Sequence, residues 1–132
     1  MAERGHGILL DTSVVVAHLR GSIDLQTLAS ADEPLFLPLV ALGELYRGVL
    51  KSARPESSRA KVDQFLEIAA VLYPDVATAE IYARIAQALE TRGTPIPEND
   101  IWIAAMALEC DMPLAARDDH FRQVERLDIL WW

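Results

Sequence analysis

The feature that most constrains the fold is the alternation of short apolar runs with longer segments of helical periodicity. Continuous apolar runs of this length are typical of strands that are buried on both faces of a parallel sheet. Five such runs predict strands, at 7–10, 34–38, 71–74, 112–117 and 127–132. Between them, apolar residues recur every three or four positions, as they do along one face of a helix. Strands that alternate with helices predict an α/β fold, a three-layer sandwich with a central parallel sheet of about five strands flanked by helices.

The segments between the runs carry helix start and stop signals. The predicted helices cover Ser13 to Arg20, 22–31, a segment from Leu39, one capped by Ser57 or Ser58, one from the cap Asp75 to near Gly93, and one around 101–108. Asp and Thr are frequent N-terminal caps, so Asp11 or Thr12 can cap the first helix. Helical spacing places Leu39 and Leu50 on one apolar face of the helix from Leu39, and we expect this face to be buried. Ala69 is predicted to lie on the helix that follows, in its apolar stripe.

Length and composition narrow the possible classes of protein. The 132 residues suit one compact domain, expected to span 1–132 with 1–6 as an N-terminal lead-in. A formal charge of −8 excludes a generally basic nucleic-acid-binding protein, so any nucleic-acid partner must be held locally. The single cysteine, Cys110, excludes an internal disulfide and a cysteine-based zinc site. With neither a signal-peptide pattern nor a membrane-spanning stretch, the sequence predicts a cytoplasmic protein without membrane contact.

Four acids lie where the predicted strands and helices meet. Asp11 follows the first strand, and Asp118 follows the fourth. Glu44 lies in the helix after the second strand, and Asp100 lies in the first turn of the helix before the fourth. Ligands of parallel α/β sheets bind beyond the carboxyl ends of the strands, so we expect these acids to meet there. Each also has a simpler interpretation, because aspartates at these positions can cap helices and Glu44 can be an exposed helix residue.

Crowded carboxylates repel one another and raise each other's pKa unless a cation lies between them. Oxygen ligands without a histidine cluster favour Mg²⁺ or Mn²⁺ over zinc. A metal held in this way can activate water and stabilise the leaving oxygen in phosphodiester hydrolysis. The glycines are scattered, and no glycine-rich loop predicts a bound nucleotide cofactor.

Four segments surround these acids: "LLDTSVVV" with Asp11, "LVALGELYRGV" with Glu44 and Gly48, "IPENDIWIAAMA" with Asp100, and "LAARDDHF" with Asp118. In this order they resemble the motifs of PIN-domain ribonucleases of the VapC type, the toxins of prokaryotic type II toxin–antitoxin pairs. The resemblance extends from residue 7 to about 131. It implies a PIN sandwich and a Mg²⁺- or Mn²⁺-dependent endoribonuclease. It also implies a homodimer, a cognate antitoxin, and transfer RNA or ribosomal RNA as the substrate.

The resemblance also implies the roles of individual residues. The catalytic residues would be Asp11, Glu44, Asp100 and Asp118, of which Asp11, Asp100 and Asp118 bind the metal and Glu44 does so directly or through water. Asp119 is the alternative to Asp118 as the last acid. The residues expected to support these ligands or contact the substrate are Thr12, Ser13, Asn99 and Arg117. The family usually has a hydroxyl or amide residue where this chain has Ala116, so either the metal affinity is lower or Ser13 supplies such a contact alone. His120 is interpreted as an ordinary surface histidine, with substrate contact as the alternative.

Three other classes of protein share some of these features. A phosphorylation-dependent receiver domain needs a lysine after a late strand, and no lysine follows Lys61. An aspartate-nucleophile phosphatase would have an acid in place of Ser13. A catalytically inactive PIN-fold module that binds RNA or protein remains the main alternative to the enzyme, and metal-dependent RNA cleavage distinguishes the two.

Overall fold

A computed structural model describes residues 7–27 and 33–132. Its centre is a sheet of five strands: β1 (Ile8–Leu10), β2 (Leu35–Pro38), β3 (Ala69–Leu72), β4 (Leu114–Ala116) and β5 (Ile129–Trp131). The strands lie in the order β3-β2-β1-β4-β5, and every neighbouring pair is parallel. The predicted α/β fold with a five-stranded parallel sheet is therefore confirmed.

Five α-helices connect or flank the strands: α1 (Thr12–Leu19), α2 (Leu39–Lys51), α3 (Pro55–Phe65), α4 (Val76–Arg92) and α5 (Glu98–Cys110). Two short 3₁₀ helices cover Leu25–Thr27 and Asp119–Gln123. As predicted, Asp75 caps α4, and Gly93 ends it in the left-handed conformation that glycine adopts most easily. None of the helices in the described ranges is long and apolar enough to cross a membrane.

The two central strands fix the position of the candidate site. β1 pairs with β2 on one side and with β4 on the other, so the strand order changes direction between β1 and β4. Leu9, Leu10, Leu114 and Ala115 are fully buried, as expected for strands covered on both faces. Parallel strands bring their carboxyl ends to one edge, and Asp11 therefore leaves β1 beside the end of β4.

Two predicted strand and helix boundaries were wrong. The third strand covers Ala69–Leu72 instead of 71–74, so Ala69 is a strand residue, and Tyr73 is 67% exposed. α3 begins at Pro55 instead of after Ser57 or Ser58, because proline suits the first position of a helix, where no backbone donor is needed. The strand moved by two residues and the start of the helix by three or four.

Two further predictions were wrong: one concerned the burial of leucines on α2, and the other the length of a helix. Leu50 is 81% exposed and Leu39 also reaches the surface, so the buried face of α2 is narrower than its spacing suggested. Of the helix predicted over 22–31, the structure has the 3₁₀ helix Leu25–Thr27, and 28–32 lie outside the described residues. The lead-in, 1–6, also lies outside them.

Candidate active site at the carboxyl edge of the sheet

Asp11 is a buried acid at the end of β1. Its side chain is 3% exposed and caps α1 by accepting a hydrogen bond from the backbone amide of Ser13 at 3.4 Å. The Ser13 hydroxyl donates to the same oxygen, Oδ2. The predicted cap is therefore confirmed, and the same carboxylate also lies at the edge where β1 meets β4.

Burial raises the pKa of Asp11 to about 6, and the nearby charge of Asp100 contributes in the same direction. The hydrogen bonds from Ser13 oppose this rise because they stabilise the ionised form. A helix cap on the protein surface would have a lowered pKa, so capping alone does not account for this environment.

Asp100 lies in the first turn of α5, as predicted, and its side chain is largely buried. Burial is the main cause of its raised pKa, and the charges of Asp118 and Glu44 raise it further. A hydrogen bond with His120 acts in the opposite direction. Asp11, Glu44 and Asp118 are thus each within electrostatic range of Asp100, and we call these four residues the carboxyl-edge cluster.

Glu44 is connected to the first helix by a hydrogen bond. The Thr12 hydroxyl donates to Glu44 Oε1 at 2.8 Å, which joins the start of α1 to the middle of α2. Glu44 is half-buried, so it is not the fully exposed helix residue of the simpler interpretation. Thr12 and Ser13 therefore each hold one carboxylate of the carboxyl-edge cluster.

Asp118 and Asp119 have different surroundings. The backbone amide of His120 donates to Asp118 Oδ1 at 3.0 Å, and Asp118 raises the pKa of Asp100. The Asp119 side chain is 85% exposed and forms an ion pair with Arg122 at 3.0 Å. The geometry therefore favours Asp118 as the member of the cluster.

The imidazole of His120 is part of the site, which the sequence interpretation did not favour. Its Nδ1 atom lies 3.0 Å from Asp100 Oδ2 and 3.0 Å from Asp118 Oδ1. The only signal in the sequence was its position two residues after Asp118, which is equally compatible with a surface histidine. A nitrogen atom therefore lies among the carboxylate oxygens from which the sequence predicted the site.

Two of the predicted supporting residues make no contribution that the geometry reveals. Asn99 and Arg117 are exposed, and their roles stay predictions. Ala116 is completely buried in β4, so its methyl group is part of the core. Ser13 supplies the hydroxyl contact with Asp11, as expected in the absence of a hydroxyl at 116.

The donor set fits a divalent cation. Asp100, Asp118 and His120 offer ligand atoms that lie within 4.8 Å of one another. Burial is the main cause of the raised pKa values of Asp11 and Asp100, and the charges of neighbouring carboxylates add to it; a cation would stabilise the ionised forms of both acids. Carboxylates suit Mg²⁺ and Mn²⁺, and an imidazole suits transition metals.

A second group of acids lies between α4 and α5. The hydroxyl of the fully buried Thr78 contacts the carboxylates of Asp75 and Glu109, and its backbone amide donates to Asp75 at 3.1 Å. These bonds lower the pKa of Asp75, whereas burial raises that of Glu109. We call Asp75 and Glu109 the α4–α5 acid pair.

Comparisons with known proteins agree with the fold. Residues 8–127 match the PIN domain. Ribonuclease VapC1 of Haemophilus influenzae (strain R2866) is 27% identical over 128 residues, which cover 94% of this chain and 94% of that protein. Ribonuclease VapC5 of Mycobacterium tuberculosis is 30% identical over 124 residues, which cover 89% of this chain and 87% of that protein.

A solved structure extends the similarity to three dimensions. VapBC-5 from Mycobacterium tuberculosis, a member of the VapBC family of toxin–antitoxin systems, contains a chain that is 26% identical, with a TM-score of 0.77. The match covers 96% of this chain and 99% of that chain. With the family match extending over almost the whole sequence, this chain belongs to the PIN-domain family, among its VapC members.

Proposed function

We propose that this protein is a metal-dependent endoribonuclease, formed by a single PIN domain over 1–132, and that it is the toxin of a toxin–antitoxin pair. The observation that carries the proposal is the carboxyl-edge cluster. Acids from four separate parts of the chain meet at the point where strand order changes, and the pKa values of Asp11 and Asp100 are raised. The names of the similar VapC ribonucleases support RNA as the substrate.

Asp11, Asp100 and Asp118 would hold Mg²⁺ or Mn²⁺, and Glu44 would contribute directly or through water. When bound, such a metal stabilises negative charge on the phosphate and makes a water molecule more acidic. The reaction is hydrolysis: a water oxygen forms a bond to phosphorus while the bond to the leaving ribose oxygen breaks.

The neighbouring side chains would keep these carboxylates in position. The Ser13 hydroxyl fixes Asp11, and the Thr12 hydroxyl fixes Glu44. Hydrogen-bonded partners of this kind orient ligands and typically change metal affinity or activity by about 10–100-fold. Asn99 and Arg117 are exposed and available for RNA, and arginine contacts with phosphate supply affinity without reading sequence.

The partners follow from the same proposal. The similar chain in a VapBC structure supports a cognate antitoxin that binds this protein. We also propose a homodimer that acts in the cytoplasm on transfer RNA or ribosomal RNA. An antitoxin would allow the cell to carry an enzyme whose unrestrained activity is toxic.

The test is cleavage of total RNA by purified protein freed of any partner, with Mg²⁺, with Mn²⁺ and with EDTA. We expect discrete fragments that require metal, and at least about a 100-fold loss of cleavage in Asp100→Asn, since this removes a ligand. Glu109→Gln is the matched control, because it removes one acid from the same helix outside the carboxyl-edge cluster.

Two results would contradict the enzyme. The first is cleavage by Asp100→Asn at the rate of the unmodified protein with saturating Mg²⁺. The second is the absence of cleavage with either metal by protein that is folded and free of partner, which would favour the inactive RNA-binding or protein-interaction module.

A further inference from the structure

The His120 imidazole has the spacing of a metal ligand relative to two acids of the carboxyl-edge cluster. Its Nδ1 atom lies 3.0 Å from both Asp100 Oδ2 and Asp118 Oδ1. Two ligand atoms that bind one octahedral ion at right angles, each at about 2.1 Å, are about 3.0 Å apart. The nitrogen therefore has the spacing of an adjacent ligand relative to each of the two oxygens.

The backbone around His120 explains why the ring lies there. His120 is in the 3₁₀ helix Asp119–Gln123, and its own amide donates to Asp118 at 3.0 Å. The next residue, Phe121, is fully buried and anchors this short helix in the core. An ion pair between Asp119 and Arg122 spans its outer side. The backbone thus holds the imidazole beside the carboxyl-edge cluster. The His120 side chain is 45% exposed, so an ion can reach it from the solvent.

We propose that His120 is a nitrogen ligand of the metal at the carboxyl-edge cluster, and that it gives the site a preference for Mn²⁺ and Co²⁺ over Mg²⁺. This inference rests on the proposed function. Mg²⁺ takes oxygen ligands almost exclusively, whereas imidazole binds transition metals with an affinity that rises from Mn²⁺ to Co²⁺. Removing the nitrogen therefore weakens Co²⁺ most, Mn²⁺ less and Mg²⁺ least.

A different role for His120 would produce the same distances. An imidazole that only donates a hydrogen bond to the two carboxylates would position them, and its loss would weaken all metals alike. His120→Asn separates the two roles, because its amide can still donate to a carboxylate but offers no imidazole nitrogen. His120→Ala removes both properties.

The first experiment is calorimetric titration of the full chain with Mg²⁺, Mn²⁺ and Co²⁺. For His120→Ala and His120→Asn alike, we expect at least about a tenfold loss of Co²⁺ affinity, with Mg²⁺ affinity within about twofold of the unmodified protein. Equal losses for all three metals in His120→Ala, with recovery in His120→Asn, would overturn the ligand assignment in favour of a positioning role.

The second experiment detects the bond directly. Pulsed electron paramagnetic resonance of the Mn²⁺-loaded protein should show coupling to ¹⁴N, which becomes ¹⁵N coupling when histidine is ¹⁵N-labelled. The coupling should disappear in His120→Asn and persist in His18→Gln. His18 is the matched control, because its ring accepts a hydrogen bond from the Leu25 amide at 3.1 Å and lies outside the cluster.

The two proposals fail in different ways. The unmodified protein could bind Mn²⁺ without nitrogen coupling, while Asp100→Asn no longer binds Mn²⁺. The His120 inference would then be wrong, and the proposal of a metal-dependent enzyme would stand. If the unmodified protein binds none of the three metals, both are wrong. Nitrogen coupling that survives in His120→Asn would also overturn the assignment, since another residue would then supply the nitrogen.

Discussion

The carboxyl-edge cluster and the α4–α5 acid pair both bring carboxylates together, but their surroundings differ. In the acid pair, one buried hydroxyl and one helix cap provide hydrogen bonds to two carboxylates, Asp75 and Glu109. In the carboxyl-edge cluster, two hydroxyls, two backbone amides and one imidazole contact the four acids. In the acid pair, hydrogen bonds lower the pKa of Asp75 and burial raises that of Glu109, whereas in the cluster burial and neighbouring carboxylates raise the pKa of both Asp11 and Asp100.

The two helix caps, Asp75 and Asp11, show how an acid that stabilises the fold differs from one that we propose binds a ligand. An acid that caps a helix at the surface has a lowered pKa, as Asp75 does, and its charge favours the folded state. Burial and neighbouring charge give Asp11 the opposite shift. Functional sites commonly retain such unfavourable arrangements because their geometry is needed for binding or catalysis.

The largest expected effect on stability is that of Asp11→Asn. Its folded-state pKa of about 6 lies above the ordinary value of 3.8, so ionisation at neutral pH opposes folding by up to about 3 kcal/mol. Asparagine is an equally good cap, and it carries no charge. We therefore expect the metal-free variant to melt up to about 10 °C higher than the unmodified protein at pH 7.

The pH dependence provides the check. The destabilisation by Asp11 is absent below pH 4, grows as pH rises towards 6, and is complete above 6. Thermal melts in EDTA should therefore show the two proteins converging as pH falls from 7 to 4. Asp63→Asn is the control, because Asp63 is an exposed partner of Arg59 and its removal should change stability by less than about 1 kcal/mol. An Asp11→Asn variant that melts lower at pH 7 would show that the buried charge does not oppose folding.

The second largest expected effect on stability is that of a substitution at the α4–α5 acid pair. Thr78→Val replaces the buried hydroxyl with a methyl group of similar size and leaves Asp75 and Glu109 without their shared partner. We expect a loss of about 2 kcal/mol in unfolding free energy, because the Thr78 hydroxyl no longer accepts the hydrogen bond of the Asp75 amide, 2.9 Å long, and no longer donates to Glu109. RNA cleavage at a temperature well below the melting point should not change.

The control for this change lies on the same helix. Thr91 is exposed on α4, so Thr91→Val should alter stability by less than about 0.5 kcal/mol. Chemical denaturation measures both variants under the same conditions. Equal stability for Thr78→Val and the unmodified protein would mean that the acid pair does not hold α4 to α5.

The sequence was sufficient to predict the features that depend on neighbouring residues. Alternating strands and helices predicted the parallel sheet, and the caps at Asp11 and Asp75 followed from residue type and position. Ligands of parallel sheets bind where strand order changes, and this rule predicted that Asp11 and Asp118 lie at the same edge. The other three predicted acids lie within electrostatic range of Asp100.

Contacts between distant parts of the chain were not predictable in the same way. The His120 imidazole meets a carboxylate 20 residues earlier, and the Thr78 hydroxyl meets one 31 residues later. The third strand was misplaced for a related reason. Its extent is set by pairing with β2, in which Leu35 lies opposite Ala69 and Pro38 opposite Leu72, and not by its own apolar residues.

The smallest expected effect is that of Thr12→Val. It makes in the carboxyl-edge cluster the same substitution that Thr78→Val makes in the α4–α5 acid pair, so the two groups of acids can be compared directly. The lost bond, 2.8 Å from the Thr12 hydroxyl to Glu44 Oε1, orients a carboxylate of the proposed metal site. We therefore expect about a tenfold loss of RNA cleavage with little change in melting temperature, and recovery in Thr12→Ser. Cleavage under single-turnover conditions and thermal melts of the same samples measure both quantities. If Thr12→Val lowers stability and leaves cleavage unchanged, the hydroxyl serves the fold, and the distinction between the two groups of acids does not extend to the side chains that contact them.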